Sequence, residues 1–189
     1  MNEIELLQGV VDQTTTVIAG VGADQWDTAS PCAGWTVRDV VNHIVGGATV
    51  FAISVEQGSV PDEELGRLAG EDNLGADPLG AWTTASARAL AAFERPGALE
   101  QSVVLPFGEM PGAAALSIAV FDVLTHAVDI ASVTGQHLTD LALLETALGM
   151  GEQLVGPELR VPGVFDPVQP VAADAPVETR LLAFAGRSV

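Results

Sequence analysis

Apolar residues return every three or four positions in five blocks of this chain, and stretches rich in glycine and proline separate the blocks. In the first, residues 3–21, Ile4, Leu7, Val11 and Val17 share much of one helical face. The second begins at Thr36 in TVRDVVNHIVGGATVFAISVEQG. Thr36 followed by Asp39 has the spacing of a capping box, and Val37, Val41, Ile44, Ala48 and Phe51 form an apolar seam. Residues 57–77 are acidic and glycine-rich and read as an exposed connection. A third helix over 78–97 carries Trp82, Ala85, Ala89 and Phe93, and Pro96-Gly97 ends it. In QSVVLPFGEMPGAAAL the prolines and glycines break any helix, while Ser102–Leu105 favours an extended segment, so a small hairpin or turn-rich loop is expected. A fourth helix over 113–134 is closed by Gly135. A fifth follows Thr139-Asp140 to about residue 155. The tail from Pro157 is proline-rich until VETRLLAFAGR, a short final helix. Four long helices with short connections predict an all-α fold, an antiparallel four-helix bundle, in a single domain over residues 1–189.

One stretch of the fourth helix, FDVLTHAVDI, breaks the apolar pattern. Asp122 lies four residues before His126 and Asp129 three residues after it. On a helix, positions i and i+4 differ by about 40° and rise about 6 Å, so Asp122 and His126 point at one object. The strip borders an apolar seam of Leu116, Val120, Val123, Ala127 and Ile130 rather than open water. A carboxylate buried without compensation is costly, and a divalent metal ion is a natural remedy. The second helix repeats the spacing, with Asp39 four residues before His43. His43 meeting Asp122 and His126 across the bundle gives a ligand set of two histidines and one aspartate with open coordination positions. Asp129 then stands behind His126, as its orienting partner or as a general base. The competing reading is a core histidine paired with Asp122, with Asp129 reaching solvent. Asp39 is most simply the third residue of the helix cap, and His137 an exposed loop residue.

Charge and composition narrow the chemistry. The chain has 7 Lys+Arg against 25 Asp+Glu, a formal net charge of −18, which repels phosphate backbones and anionic membranes. Neither nucleic acid nor a membrane is therefore an expected partner. Every basic residue is arginine, and the absence of lysine and tyrosine excludes a lysine Schiff base and a tyrosine acid or base. The single cysteine, Cys32, permits no intrachain disulfide, and the acidic start MNEIELLQ lacks the basic end of a signal peptide, so a cytoplasmic location is expected. No run of about 18 apolar residues escapes a charge, so no membrane span is expected. Cys32 reads as a structural thiol, the alternative being a nucleophile, because no acid–base partner can be placed beside it from the sequence. Arg88 reads as a solvated arginine, the alternative being an anchor for an anionic substrate. Trp35 and Trp82 read as core.

The order SPCAGWTVRDVVNHIVGG, LPFGEMPGAAAL, FDVLTHAVDIASVTGQ, ETRLLAFAGR resembles the DinB/YfiT-like superfamily, in the branch related to mycothiol-dependent maleylpyruvate isomerase. The resemblance runs from about residue 5 to the C-terminus. It implies a four-helix bundle holding a divalent metal, often zinc or nickel. The family's helix-two histidine matches His43, and its carboxylate-xxx-histidine pair matches Asp122 and His126. The isomerase has glutamate in place of Asp122, and relatives read WDLA where this chain reads VDIA, keeping Asp129 but replacing the tryptophan with Val128. The isomerase also carries a separate C-terminal domain, which this chain is expected to lack. By resemblance, the expected activity is that of a metal-dependent thiol transferase or isomerase, with mycothiol as thiol cosubstrate and a small electrophile as substrate. The alternatives are a metal-dependent hydrolase, a non-catalytic metal- or ligand-binding protein in regulation or stress handling, and, from the ligand set alone, a non-haem iron oxygenase. A homodimer is an assembly the sequence allows.

Overall fold

A computed structural model of the chain describes residues 2–161 and 165–188. The described residues fold as α1 (Glu3–Ala19), α2 (Val37–Gln57), α3 (Asp62–Gly70), α4 (Pro78–Phe93), β1 (Ser102–Leu105), β2 (Gly108–Pro111), α5 (Gly112–Thr134), α6 (Leu141–Leu154), a single 3-10 turn (Pro157–Leu159) and α7 (Val177–Phe184). The long helices close a ring: α1 packs on α4 and α5, and α2 packs on the same two. This is the all-α bundle that the apolar periodicities predict. The predicted Pro-rich tail falls partly on residues 162–164, which lie outside the described residues.

Local chemistry sets the ends of these helices. Thr36 caps α2: its side chain accepts from Asp39 N–H, and the Asp39 carboxylate accepts in return from the Thr36 backbone and hydroxyl at 2.8 and 2.6 Å. Asp39 is thereby committed to the cap, and its pKa is lowered by those hydrogen bonds. α5 ends at Gly135, whose φ of 73° is the left-handed conformation that glycine adopts freely. β1 and β2 pair antiparallel with Leu105 opposite Gly108, forming the expected hairpin.

Two elements differ from the sequence expectation. Residues 62–70 are helical rather than an open connection. Three acids in the first turn, Asp62, Glu63 and Glu64, suit the positive end of the helix dipole, and Leu68 buries against Ile53 and Val60. Nine residues with so few apolar positions give no readable period. α4 also stops at Phe93, three residues before Pro96, and a run of turns replaces its last predicted turn.

α5 is the core helix. Leu116, Val120, Leu124, Ala127 and Ile130 have no exposed surface, and Leu→Ala changes at such positions cost about 2–5 kcal/mol. By length and composition α5 could cross a bilayer, but 72% of its apolar window is buried inside the bundle. Its apolar face is therefore accounted for by protein packing.

Candidate metal centre

α2 and α5 pack side by side, and this contact carries His43 to the strip on α5. His43 Nε2 lies 3.4 Å from Asp122 Oδ1, and His126 Nε2 lies 3.6 Å from the same oxygen. The two imidazole centroids are 4.9 Å apart, edge to face. One donor atom from each residue lies within 4.8 Å of the others. The His43 side chain is 40% exposed and that of Asp122 29%, whereas His126 is 9% exposed. The cluster therefore sits at the edge of the core with its His43 side open to solvent. Gly47, one turn beyond His43, leaves space beside Asp122, where an added Cβ would stand 3.9 Å from Oδ2.

The charges in this cluster depend on each other. Burial disfavours both charged forms, but the charges of His43 and Asp122 and the hydrogen bond between them outweigh it. The His43 pKa lies above the usual imidazole value despite the opposing charge of Arg187, and that of Asp122 falls to about 2, where His126 and Arg187 also lower it.

The other edge of His126 faces a different environment. Its Nδ1 lies 2.9 Å from Asp129 Oδ2. Asp129 has no exposed surface, and it also accepts from the Cys32 thiol at 3.1 Å and from Arg187 Nε and Nη2 at 3.2 Å each. Burial pushes the Asp129 pKa up, but His126 and Arg187 more than offset this and the net shift is downward. Burial and the adjacent Asp129 charge push the Cys32 thiol up to about 12, so it is a donor here rather than a thiolate. Cys32, His126 and Asp129 form a second trio with metal-ligating atoms, but Arg187 already supplies its positive charge.

The sequence reading did not place three of these residues at the site. Cys32 and Trp35 lie on the loop before α2. That loop is pinched by Ser30 N–H donating to Trp35 O and Trp35 N–H donating to Cys32 O, with Gly34 in the left-handed region at φ 82°. The pinch places Cys32 beside Asp129. It also sets Trp35 against the histidines, with ring centroids 5.1 Å from His43 and 6.1 Å from His126. Trp35 is 37% exposed and walls the site instead of filling the core. Trp82, by contrast, is core, with its indole N–H on Thr15 Oγ1 at 2.9 Å. Arg187 comes from beyond α7. Arg88 pairs with Glu56 at 2.6 Å on the surface, and His137 is exposed beside Glu178, so neither reaches the site.

Comparison with known proteins places this architecture. The family described as mycothiol maleylpyruvate isomerase N-terminal domain matches residues 7–131. Two uncharacterized proteins of Mycobacterium tuberculosis, from strains CDC 1551 and H37Rv, are each 35% identical over 196 aligned residues, covering 100% of this chain and 100% of their own. Two crystal structures share the fold: a mutant of the mycothiol-dependent maleylpyruvate isomerase, with TM-score 0.65 and 16% identity, and the isomerase itself, with TM-score 0.62 and 17% identity. Each covers 79% of this chain, and this chain covers 66% of each, just under two thirds of the isomerase. With the family match extending from α1 into the last turn of α5, across both helices that carry the histidines, the chain belongs to the mycothiol maleylpyruvate isomerase N-terminal domain family.

Proposed function

We propose that His43, Asp122 and His126 hold a divalent metal ion, zinc or nickel, and that the protein is a metal-dependent thiol transferase or isomerase acting on a small electrophile with a mycothiol-type cosubstrate. The observation that carries this reading is the meeting of His126 and Asp122. A carboxylate can only accept, so an ionised Asp129 requires N–H at Nδ1 of His126. With His126 in the neutral form that a metal ligand must take, Nε2 presents a lone pair to Asp122 Oδ1 across 3.6 Å, and a metal ion there replaces the proton that would otherwise join them. Two acceptors facing each other call for a cation.

The two spacings to Asp122 suit one. Ligand bonds of about 2.1 Å at tetrahedral angles set neighbouring donors about 3.4 Å apart. The distances to Asp122 Oδ1 are 3.4 and 3.6 Å. Two imidazoles and one carboxylate suit zinc or nickel. When bound, such an ion supplies a Lewis acid that lowers the pKa of a thiol or water. The chain's own residues do the rest. Asp129 serves as the orienting partner of His126 rather than as a general base, because it is fully buried and both its oxygens are engaged. Trp35 walls the open side and limits water there. The isomerases that share this fold are mycothiol-dependent, which supports a thiol of that type as cosubstrate.

A second reading is a metal- or ligand-binding protein without catalysis. It is favoured by the state of the nearest reactive groups, since Asp129 and Cys32 are both buried and hydrogen-bonded to each other.

Elemental analysis of native protein beside His43→Ala and His126→Ala tests the metal site. About one equivalent in the native protein and loss in both variants is expected, and full retention in both overturns the assignment. Zinc- or nickel-loaded protein is then assayed for mycothiol binding and for turnover of an electrophile panel with mycothiol. Binding with turnover supports the enzyme, and the absence of both leaves the non-catalytic reading.

A further inference from the structure

We infer that Arg187, in the C-terminal tail, is a positioning residue of the metal centre that acts through Asp129 on the ring of His126. The inference rests on the metal-site reading above and concerns how this chain holds one ligand of that site.

The tail is built to deliver this side chain. α7 packs against α5 and α6, and Phe184 at its end meets Phe121 of α5 edge to face at 6.1 Å. Gly186 then turns the chain at φ 85°, and an added Cβ there would come within 2.6 Å of the Asp166 carbonyl oxygen. Only glycine fits that turn. Arg187 N–H closes it on Leu182 O at 2.9 Å. The Arg187 side chain is 13% exposed and reaches back to α5 with a two-pronged grip, Nε on Oδ1 and Nη2 on Oδ2 of Asp129, while Nη1 donates to Ala185 O.

A two-pronged arginine–carboxylate pair fixes the carboxylate plane as well as its charge. Oδ1 of Asp129 is occupied by Arg187, which leaves Oδ2 to face His126 Nδ1 at 2.9 Å and the Cys32 thiol at 3.1 Å. The ring of His126 therefore has one orientation and one tautomer, with Nδ1 donating and Nε2 directed at Asp122. Groups that orient a ligating histidine in this way typically change metal affinity by about 10- to 100-fold when removed. Arg187 stands one layer further out. Its place in the sequence, 61 residues beyond His126 by their numbering, hides the connection.

The test uses the full-length protein and two readouts. In metal-free wild type, nitrogen-15 spectra of the imidazoles should show His126 protonated at Nδ1, and a ring protonated at Nε2 alone overturns the inference. Cobalt(II) titrations, followed by the visible spectrum, are then run on wild type, Arg187→Met, Asp129→Asn and the double variant. Arg187→Met should bind cobalt about tenfold or more weakly, and Arg187→Lys, which keeps the charge without the fork, should recover part of the loss. In the Asp129→Asn background Arg187→Met should add less than about twofold, because Arg187 has nothing left to act through. Wild-type affinity in a folded Arg187→Met, or a full-sized further loss in the Asp129→Asn background, overturns the inference. If Arg187→Met fails to fold, the double variant, which removes both buried charges, and the wild-type tautomer decide the matter. If wild type binds no cobalt, the metal reading fails, and the tautomer in wild type and Arg187→Lys still judges the clamp.

Discussion

The two edges of the His126 imidazole meet opposite situations. At Nδ1 everything is buried and balanced, because Asp129 accepts from four donors and carries its charge against Arg187. At Nε2 the partners are partly exposed and unbalanced, with Asp122 3.6 Å away and His43 open to solvent. Both acids come from one helix at similar spacing from one histidine. What separates them is what the rest of the chain brings. A loop and the C-terminal tail complete the Nδ1 side, whereas α2 brings only a second histidine to the other. The first arrangement is structural support, and the second is the edge at which the proposed metal ion would be held.

The largest expected effect breaks the balanced side. Asp129→Leu leaves Arg187 buried without a partner, and losing one member of a buried pair costs about 3–5 kcal/mol. Urea unfolding of the metal-free protein measures it. Asp122→Asn gives the contrasting result. Its pair with His43 is partly solvated, so metal-free stability should fall by no more than about 2 kcal/mol. Bound zinc should nevertheless be lost from it by elemental analysis. Equal stability costs for the two variants would erase the distinction drawn between the edges.

This contrast also marks where the sequence is legible. Asp122, His126 and Asp129 share one helix, so their relation follows from helical spacing alone. His43 is readable because α2 repeats the acid–histidine interval beside its own apolar seam. Cys32, Trp35 and Arg187 depend on a pinched loop and a tail whose paths no local period encodes. One signal did exist for Arg187. In a chain of −18 with seven basic residues, a carboxylate on a core helix needs an arginine, and few are available to supply it. The capping box of α2 was legible for the same reason as the α5 strip, being local, and it commits Asp39 to Thr36. α3 was not legible, because its fold depends on a single buried leucine.

A smaller effect sharpens the open side. Trp35 is the tryptophan within 5.1 and 6.1 Å of the two histidine rings, while Trp82 lies in the core. Nickel(II) binding at this site should quench part of the tryptophan fluorescence, and Trp35→Phe should remove most of that quenching. Since Trp35 is 37% exposed, the variant should stay within about 1 kcal/mol of wild-type stability. Quenching unchanged in Trp35→Phe would place the bound metal elsewhere.

The smallest effect concerns the balanced side and shows only at high pH. The Cys32 thiol has an ordinary value of 9.0 and is held at about 12 by burial and by Asp129. Below pH 9 the folded and unfolded chains both keep the proton, and the stabilisation is fully present. As pH rises from about 9 towards 12 the unfolded chain releases the proton first, so stability falls. Asp129 and Arg187 keep their charges throughout this window, their pKa values being shifted down and up respectively. Cys32→Ser retains a donor to Asp129 and has no thiol to titrate. At pH 7 it should lie within about 1 kcal/mol of wild type. Between pH 9 and 11 its stability should fall less steeply, as read from urea midpoints of the metal-free proteins. Parallel slopes would mean that Asp129 does not hold the thiol protonated, and the Asp129 carboxylate would then lack one of its four donors.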